Sequence, residues 1–168
     1  EVDGGSGGIG SSPSDLTGPY IKSSKHLAVF AGHEEAVISE PNSQDRCCAD
    51  HLEQQLFPLK DWGTKYVAAL SPGRGVKKDH WRILAGEDNV RLTTTPAQPG
   101  ANNVSLNKGE FVTFFSDQDF ESEATGKILV GQFLVSQEQA SVVTGDPAFL
   151  LSVPVESFRK DYFLLTPN

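Results

Sequence analysis

The sequence predicts an all-β fold, an antiparallel sandwich or barrel-like domain built from two related repeats of about a hundred residues each. Short apolar runs recur every 8–12 residues or so, with Gly- and Pro-containing turns between them, which is typical of antiparallel β domains. No long segment shows helical periodicity. Two motifs also return later in the chain in the same order, which predicts a duplicated supersecondary unit.

The clearest recurrence relates Leu56–Leu70, LFPLKDWGTKYVAAL, to Ser152–Thr166, SVPVESFRKDYFLLT. At a constant separation of 96 positions, the matched pairs are Pro58 with Pro154, Leu59 with Val155, Trp62 with Phe158, and Tyr66 with Tyr162. A second recurrence relates Asp15 and Lys25–Leu27 to Asp117 and Lys127–Leu129, 102 positions later. We expect the first two segments to follow the same backbone path and to bury their aromatic side chains in equivalent sites, because large aromatic residues dominate core burial.

The N-terminal third of the chain combines a polar leader with mixed signals. Residues 1–14, EVDGGSGGIGSSPS, predict a flexible leader because they have little to bury, and residues 15–168 are assigned to the β-rich domain. His26–Ala31, HLAVFA, predicts a buried strand, and Glu40–Arg46 predicts a polar loop. Ala49–Leu56 predicts one or two helical turns, because Asp50 can cap a helix that has Glu53 three residues later and leucines spaced i, i+4.

The rest of the chain is expected to consist of strands joined by tight turns. Lys65–Leu70 predicts a strand that the turn Ser71–Gly75 closes. The expected hairpins are Trp81–Leu84 with Val90–Thr95 around Gly86–Asn89, and Val104–Leu106 with Glu110–Phe115 around Asn107–Gly109. The further expected strands are Lys127–Val135, Val142–Val143, Phe149–Val153 and Tyr162–Leu165, with a turn at Gly145–Pro147.

The bulk composition excludes two classes of partner. The net charge of −8 argues against nucleic acid, because phosphate binding needs a basic surface. No apolar run approaches the ~20 residues that a membrane-spanning helix requires, so no membrane insertion is expected. No signal peptide is visible and the chain starts at Glu1, which favours a processed or excised piece of a longer protein.

Two local features bear on an extracellular location. Cys47 and Cys48 are the chain's cysteines, and their adjacency makes them candidates for a strained disulfide, since adjacent Cα atoms lie about 3.8 Å apart. Two reduced thiols, or thiols whose partners lie outside this chain, are equally compatible with the sequence. Asn103-Val-Ser105 fits the N-glycosylation rule, which makes Asn103 a candidate acceptor.

The strongest candidate for chemistry is the cluster of Asp50, His51 and Glu53 beside the two cysteines, whose S, N and O atoms suit zinc. These ligands crowd one short segment, however, whereas structural zinc sites draw ligand pairs from separate segments. The repeat places Pro147 opposite His51, and proline cannot bind a metal. We therefore expect Asp50 to cap a helix and His51 to make a hydrogen bond, with no catalytic residue, cofactor or metal. The alternative function is a metal-assisted hydrolase that uses His33, Asp50 and His51.

Several segments from Asp15 onward resemble the IgG-Fc-binding-protein N-terminal domain family. They are DLTG (15–18), SKHLAVFAGHE (24–34), ADHLEQQLFPLKDWGTKYV (49–67), AGEDNVRL (85–92), LNKGE (106–110) and GDPAFLLSVPVESF (145–158). The resemblance covers about nine-tenths of the chain, and residues 49–67 are its most specific part. It implies a secreted or cell-surface β-rich module for binding or adhesion. Family members are typically longer, which implies that this chain is a fragment of a larger repeat unit.

The expected function is therefore non-catalytic recognition of a protein or glycan, or support of surface or matrix assembly, through loops on a rigid scaffold. The chain is also expected to leave strand edges open, because a first repeat would need a counterpart of Trp81–Phe115 before Asp15, where only the leader lies. Association with another chain or a neighbouring segment by strand addition is the predicted consequence.

Overall fold

The computed structural model describes residues 15–41, 48–72, 78–137 and 146–164. These residues form nine antiparallel strands and two short 3-10 helices, which confirms the all-β prediction. The strands are β1 (Phe30–Ala36), β2 (Asp50–Gln55), β3 (Gly63–Ala68), β4 (Asp79–Ala85), β5 (Val90–Thr95), β6 (Val104–Leu106), β7 (Phe111–Ser116), β8 (Phe120–Leu134) and β9 (Ala148–Leu151). The 3-10 helices are Leu59–Asp61 and Val155–Ser157. Within the described ranges, no helix has the length and apolar character needed to cross a bilayer.

The 15-residue strand β8 is the centre of a seven-stranded sheet that curls into a half-barrel. Ser122 pairs with Tyr66 on one edge of β8 and with Thr94 on the other, and Ile128 likewise pairs with Gly63 and Ala85. One edge of β8 therefore carries β5 and then β4, and the other edge carries β3 and then β9. Strands β6 and β7 pair with the outer edges of β5 and β4.

The predicted hairpins are wrong in their pairing, although their strands lie close to the predicted positions. Strands β4 and β5 do not pair with each other but run in the same direction along β8. The segment Gly86–Asn89 therefore bends the chain instead of reversing it, and Asn107–Glu110 bends beside it, where the Lys108 amide donates to Asp88 Oδ1 at 3.0 Å. Because β8 is long, one of its edges pairs with both β4 and β5, the two strands on either side of the bend. The residues of the turn do not indicate that such an edge is present.

The N-terminal predictions need correction. The strand expected at His26–Ala31 begins instead at Phe30, and Leu27 and Phe30 are exposed rather than buried. The helical turns expected at Ala49–Leu56 are strand β2, which pairs antiparallel with β1. Asp50 caps no helix; its Oδ1 accepts a hydrogen bond from the amide of His51 at 2.7 Å. Cross-strand pairing has overridden a weak local helix signal.

The expectations for the remaining segments have mixed outcomes. Strand β3 confirms the strand expected near Lys65–Leu70, and β9 confirms the one expected near Phe149–Val153. The strand expected at Tyr162–Leu165 is wrong for the described residues 162–164, which are irregular. The leader, Val142–Val143 and most of the two loops at Glu40–Arg46 and Ser71–Gly75 lie outside the described residues.

Two apolar clusters hold the structure together. The larger fills the concave sheet and includes the fully buried Trp81, Tyr66 and Ile83. The smaller joins the β1–β2 pair to one end of the main sheet through Leu52 and Phe133, with Phe149 stacked on Phe133 at 4.4 Å. The main sheet therefore has its own core, and the β1–β2 pair depends on a much smaller one.

The recurrent segments share local geometry but not burial. Each 3-10 helix follows a proline with nearly the same backbone angles, φ −64° and ψ 147° at Pro58 and φ −67° and ψ 147° at Pro154. Tyr66 is fully buried, however, whereas Phe158 and Tyr162 are 54% and 61% exposed. The expectation that both copies bury their aromatic residues equivalently is wrong, because no strand of the described chain covers the second copy.

Candidate binding surface

The residues predicted as metal ligands lie on β1 and β2 but do not converge. His51 and Glu53 share one face of β2, with 3.4 Å between His51 Nε2 and Glu53 Oε2. Asp50 projects from the opposite face, since neighbouring residues of a strand alternate. His33 lies across from Leu52 and therefore also faces away from His51. This arrangement gives the hydrolase alternative no common site, and within the described ranges no group of three or more His, Cys, Asp or Glu residues could hold a metal.

The candidates for covalent modification lie elsewhere. Cys48 is disulfide-bonded and has a positive φ of 71°. Cys47 lies outside the described residues, so the pairing of the two cysteines stays a prediction. Asn103 is exposed immediately before β6, with a φ of 55°, and Ser105 is exposed on that strand. The acceptor triplet is therefore accessible to a glycosylating enzyme, and glycosylation stays a prediction.

Arg82 on β4 attaches the N-terminal segment to the main sheet. Its Nη2 lies 2.9 Å from Asp15 Oδ2, and its Nη1 donates to the hydroxyl of Thr17. The guanidinium also lies 4.6 Å from the centre of the Phe111 ring. Partial burial opposes ionisation of Asp15, but hydrogen bonds from Thr17 and the charge of Arg82 outweigh it and lower the pKa of the carboxyl. These contacts hold residues 15–17 against strand β4 of the main sheet.

His80, the neighbour of Arg82 on β4, belongs to the core. Its ring stacks on Phe115 with 4.5 Å between the ring centres, and its Nε2 contacts the hydroxyl of Thr113. Burial, together with the nearby charge of Arg82, lowers the pKa of His80 to about 4. The imidazole is therefore neutral at neutral pH and packs as an aromatic side chain.

Large exposed apolar side chains concentrate in two segments. The N-terminal segment, defined as residues 16–30, carries five: Leu16, Tyr20, Ile21, Leu27 and Phe30. The C-terminal segment, defined as residues 158–164, carries four: Phe158, Tyr162, Phe163 and Leu164. Only three others occur among the described residues, at Val67, Leu150 and Val153. Such concentrations mark interaction surfaces more often than scattered exposure does.

The C-terminal segment starts from a fixed base. Oε1 of Glu156 accepts hydrogen bonds from the amide and the hydroxyl of Thr64, both at 2.7 Å. Gly63 allows this approach, because a Cβ at that position would overlap the Cβ of Pro154. The 3-10 helix Val155–Ser157 therefore docks on β3 and presents Phe158 and the residues after it to solvent.

The N-terminal segment is also anchored at its start. The backbones of Gly18 and Gly109 are in direct contact, and the Nζ of Lys108 lies 3.7 Å from the centre of the Tyr20 ring. Tyr20 nevertheless remains 61% exposed. In the C-terminal segment, the sequence predicted that the aromatic side chains lie in the core. A run of apolar residues indicates that some surface should cover it, but does not show whether that surface belongs to the same chain.

Comparison with known proteins yields one assignment. A family model described as IgGFc binding protein matches residues 8–168, which is nearly the whole chain. Comparison with curated proteins and with solved structures gave no match.

Proposed function

Because the chain belongs to the family of IgGFc binding proteins, we propose that it is a non-catalytic extracellular module that recognises a protein or glycan partner, or supports assembly at a surface or in a matrix. The β-rich scaffold fits this role, since a rigid sheet can present loops and chain segments in fixed positions. The accessible Asn103 and the disulfide-bonded Cys48 are compatible with a secreted or cell-surface location.

One observation carries the proposal: nine large apolar side chains are exposed in two segments that leave a well-packed sheet at anchored points. Apolar surface that stays in water costs a protein about 25 cal/mol of free energy per Å², compared with the same surface buried. Exposed side chains such as Phe163 and Leu164 therefore gain from a partner that covers them. Protein–protein interfaces are also enriched in aromatic residues.

The family description makes the Fc fragment of IgG the first partner to test. The chain is expressed with a secretion signal in eukaryotic cells, immobilised, and exposed to purified Fc, with Fab fragment as the control, and to an array of N- and O-glycans. We expect saturable binding to Fc or to a glycan. We also expect Asn103→Gln to remove the mass of one glycan.

A matched pair of variants locates the surface. Tyr162→Ser combined with Phe163→Ser should weaken binding at least tenfold, whereas Lys160→Ser, in the same segment, should change it little. The apolar contacts provide most of the binding free energy in this proposal. Absence of binding to Fc and to every glycan at about 100 µM protein would count against the proposed function.

A further inference from the structure

The β1–β2 pair has the same register as the pair formed by β9 and the end of β8. In the first pair Phe30 lies opposite Gln55 and His33 opposite Leu52; in the second, Gly131 lies opposite Leu151 and Leu134 opposite Ala148. Each residue of the second pair is displaced from its counterpart by 101 positions on the first strand and by 96 on the second. The displacement of 96 is that of the sequence recurrence, whereas 101 is one less than the 102 positions expected from Asp15 and Lys25–Leu27. With these displacements, the two strand pairs are counterparts in register.

The copies continue beyond the strand pairs with the same displacements. The amide of Leu56 donates to the Val29 carbonyl at 2.8 Å, and that of Ser152 donates to the Val130 carbonyl at 2.9 Å. A 3-10 helix follows in each copy. The Tyr66 hydroxyl then accepts from the amide of Gly63 at 3.0 Å, as the Tyr162 hydroxyl does from Arg159 at 2.8 Å.

The copies diverge at the next strand. In the first copy, the next strand, β3, pairs with the start of β8 and not with β1. In this pair Tyr66 lies opposite Ser122, and Lys65 lies opposite Glu123. In the second copy, residues 159–164 occupy the position of β3, but the described chain offers them no strand. In the first copy, the strand that follows the β1–β2 pair therefore pairs with β8 of the main sheet, whereas residues 159–164 have no such partner within the described residues.

The residues that correspond to the start of β8 are also exposed. A displacement of 101 relates residues 120–123 to 19–22, which precede β1 as the start of β8 precedes its end. Pro19, Tyr20, Ile21 and Lys22 are all exposed and form no strand. The described chain thus presents the counterpart of β3 at one end and the counterpart of its partner at the other.

We propose that residues 159–164 of one copy of this chain pair antiparallel with residues 19–22 of a second copy, head to tail, and reproduce the pairing of β3 with β8. This names the partner for the binding function proposed above and rests on it. The transferred register places Tyr162 opposite Ile21, Phe163 opposite Tyr20 and Asp161 opposite Lys22. The apolar residues meet apolar residues, and the opposite charges of Lys65 and Glu123 recur with reversed polarity.

The pairing is heterologous, so each copy keeps one free donor segment and one free acceptor segment. Its product is an open chain of copies that lengthens with concentration, not a closed dimer. The acceptor is held in place by the Gly18–Gly109 contact and by Lys108 beneath Tyr20, so little order has to be gained there on binding.

Sedimentation velocity of the purified chain from about 5 to 200 µM tests the proposal. We expect the weight-average sedimentation coefficient to rise with concentration. Asp161→Lys and Lys22→Asp should each weaken association about tenfold, because like charges opposite one another destabilise a strand pair. The double variant Asp161→Lys/Lys22→Asp should restore it, as should mixing the two single variants. Lys25→Asp, which makes the same change of charge outside the paired residues, should leave association unchanged.

Each outcome decides the proposal. A monomer at every concentration overturns it, as does equal weakening by Lys22→Asp and Lys25→Asp, or association that Lys22→Asp leaves intact because residues 159–164 pair with themselves. The substituted residues are exposed, so unchanged thermal unfolding separates loss of pairing from loss of the fold. Because this measurement uses the pure chain, its failure is distinguishable from failure to bind Fc or glycans.

Discussion

Tyr66 and Tyr162 form a natural matched pair at the scale of single residues. Both hydroxyls accept a hydrogen bond from the amide three residues earlier. Only Tyr66 is buried, and its hydroxyl also donates to the carbonyl of Ile128 at 2.6 Å. Burial is the first cause that raises the pKa of Tyr66 to about 12, so this hydroxyl stays protonated as the donor that Ile128 needs.

We therefore expect Tyr66→Phe to lower the free energy of unfolding by about 1–3 kcal/mol, because it leaves the Gly63 amide and the Ile128 carbonyl unpaired in the interior. Tyr162→Phe should change it by less than about 0.5 kcal/mol, because water can replace the lost partner at an exposed site. Urea denaturation of both variants measures the difference. Equal effects would mean that the two tyrosines have the same surroundings in solution.

His80 makes stability depend on pH. The folded protein keeps His80 neutral down to a pKa of about 4, whereas the unfolded chain binds a proton near the ordinary value of 6.5. The unfolded state binds more protons between these values, so stability falls as the pH is lowered through this window. From pH 7 to pH 5 the contribution of His80 should be a loss of about 2 kcal/mol.

Denaturation at both pH values, compared between the wild type and His80→Gln, checks this expectation. The variant should be less stable at pH 7 but should lose less on acidification. His51→Gln, at an exposed histidine, serves as the control and should keep the full pH dependence. If His80→Gln also keeps it, the pH sensitivity has another source.

The residue scale also shows a limit of sequence reasoning. The sequence recurrence singles out Trp62 as a core residue and does not include Trp81. The structure instead buries Trp81 completely, with its ring 5.1 Å from that of Phe120, and leaves Trp62 partly exposed. Burial depends on which sheet face the rest of the chain covers, and spacing along one segment does not contain that information.

At the scale of elements, the positions of the strands were more predictable than their partners. Strands β5, β6 and β7 lie close to their predicted positions because alternating apolar residues and turn residues are local signals. Their pairing depends on β8, which is distant in sequence and has two long edges. Strand β2 was mistaken for a helix because Leu52 and Leu56 have helical spacing, and the competing strand β1 lies across a loop. The predicted ligand residues, placed on a helix by that error, fall on opposite strand faces.

The attachment of the N-terminal segment gives a prediction at this scale. Asp15→Asn removes the negative charge that faces Arg82, so we expect a loss of about 1.5–3 kcal/mol, typical of hydrogen bonds to charged groups. Hydrogen exchange of residues 15–29 should become faster, while β8 stays protected. Glu40→Gln, in the more exposed ion pair with Lys78, should cost less than about 0.5 kcal/mol. Unchanged exchange at residues 15–29 would show that other contacts hold this segment.

At the scale of the whole molecule, the separate clusters predict unequal stability. Strands β1 and β2 rest on the small cluster around Leu52, whereas β8 has a paired strand along both edges and the large core beneath it. We expect the amides of β1 and β2 to exchange at least tenfold faster than those of β8, since local opening follows buried contact. Native-state hydrogen exchange measures this, and Leu52→Ala should accelerate β1 and β2 alone. Equal protection throughout would indicate one cooperative unit.

The sequence predicted more at this scale than the pairing of individual strands would suggest. The recurrence at 96 positions pointed to segments that start with the same backbone geometry, but the burial expected for Phe158 and Tyr162 is wrong, since both are exposed. The sequence could not show which residues would remain exposed, because that depends on which strands pack against each segment. The family assignment was accessible from the quoted motifs, since they span most of the chain.

The two-sided pairing of β8 also determines how the molecule responds to tension. A strand at the edge of a sheet can be pulled away by breaking its hydrogen bonds one after another. β8 is flanked by β5 and β4 on one edge and by β3 and β9 on the other, so a pull along its axis loads both ladders in shear at the same time. The applied force is then shared among the hydrogen bonds of both ladders, so we expect β8 to resist extraction along its axis better than a strand at the sheet edge.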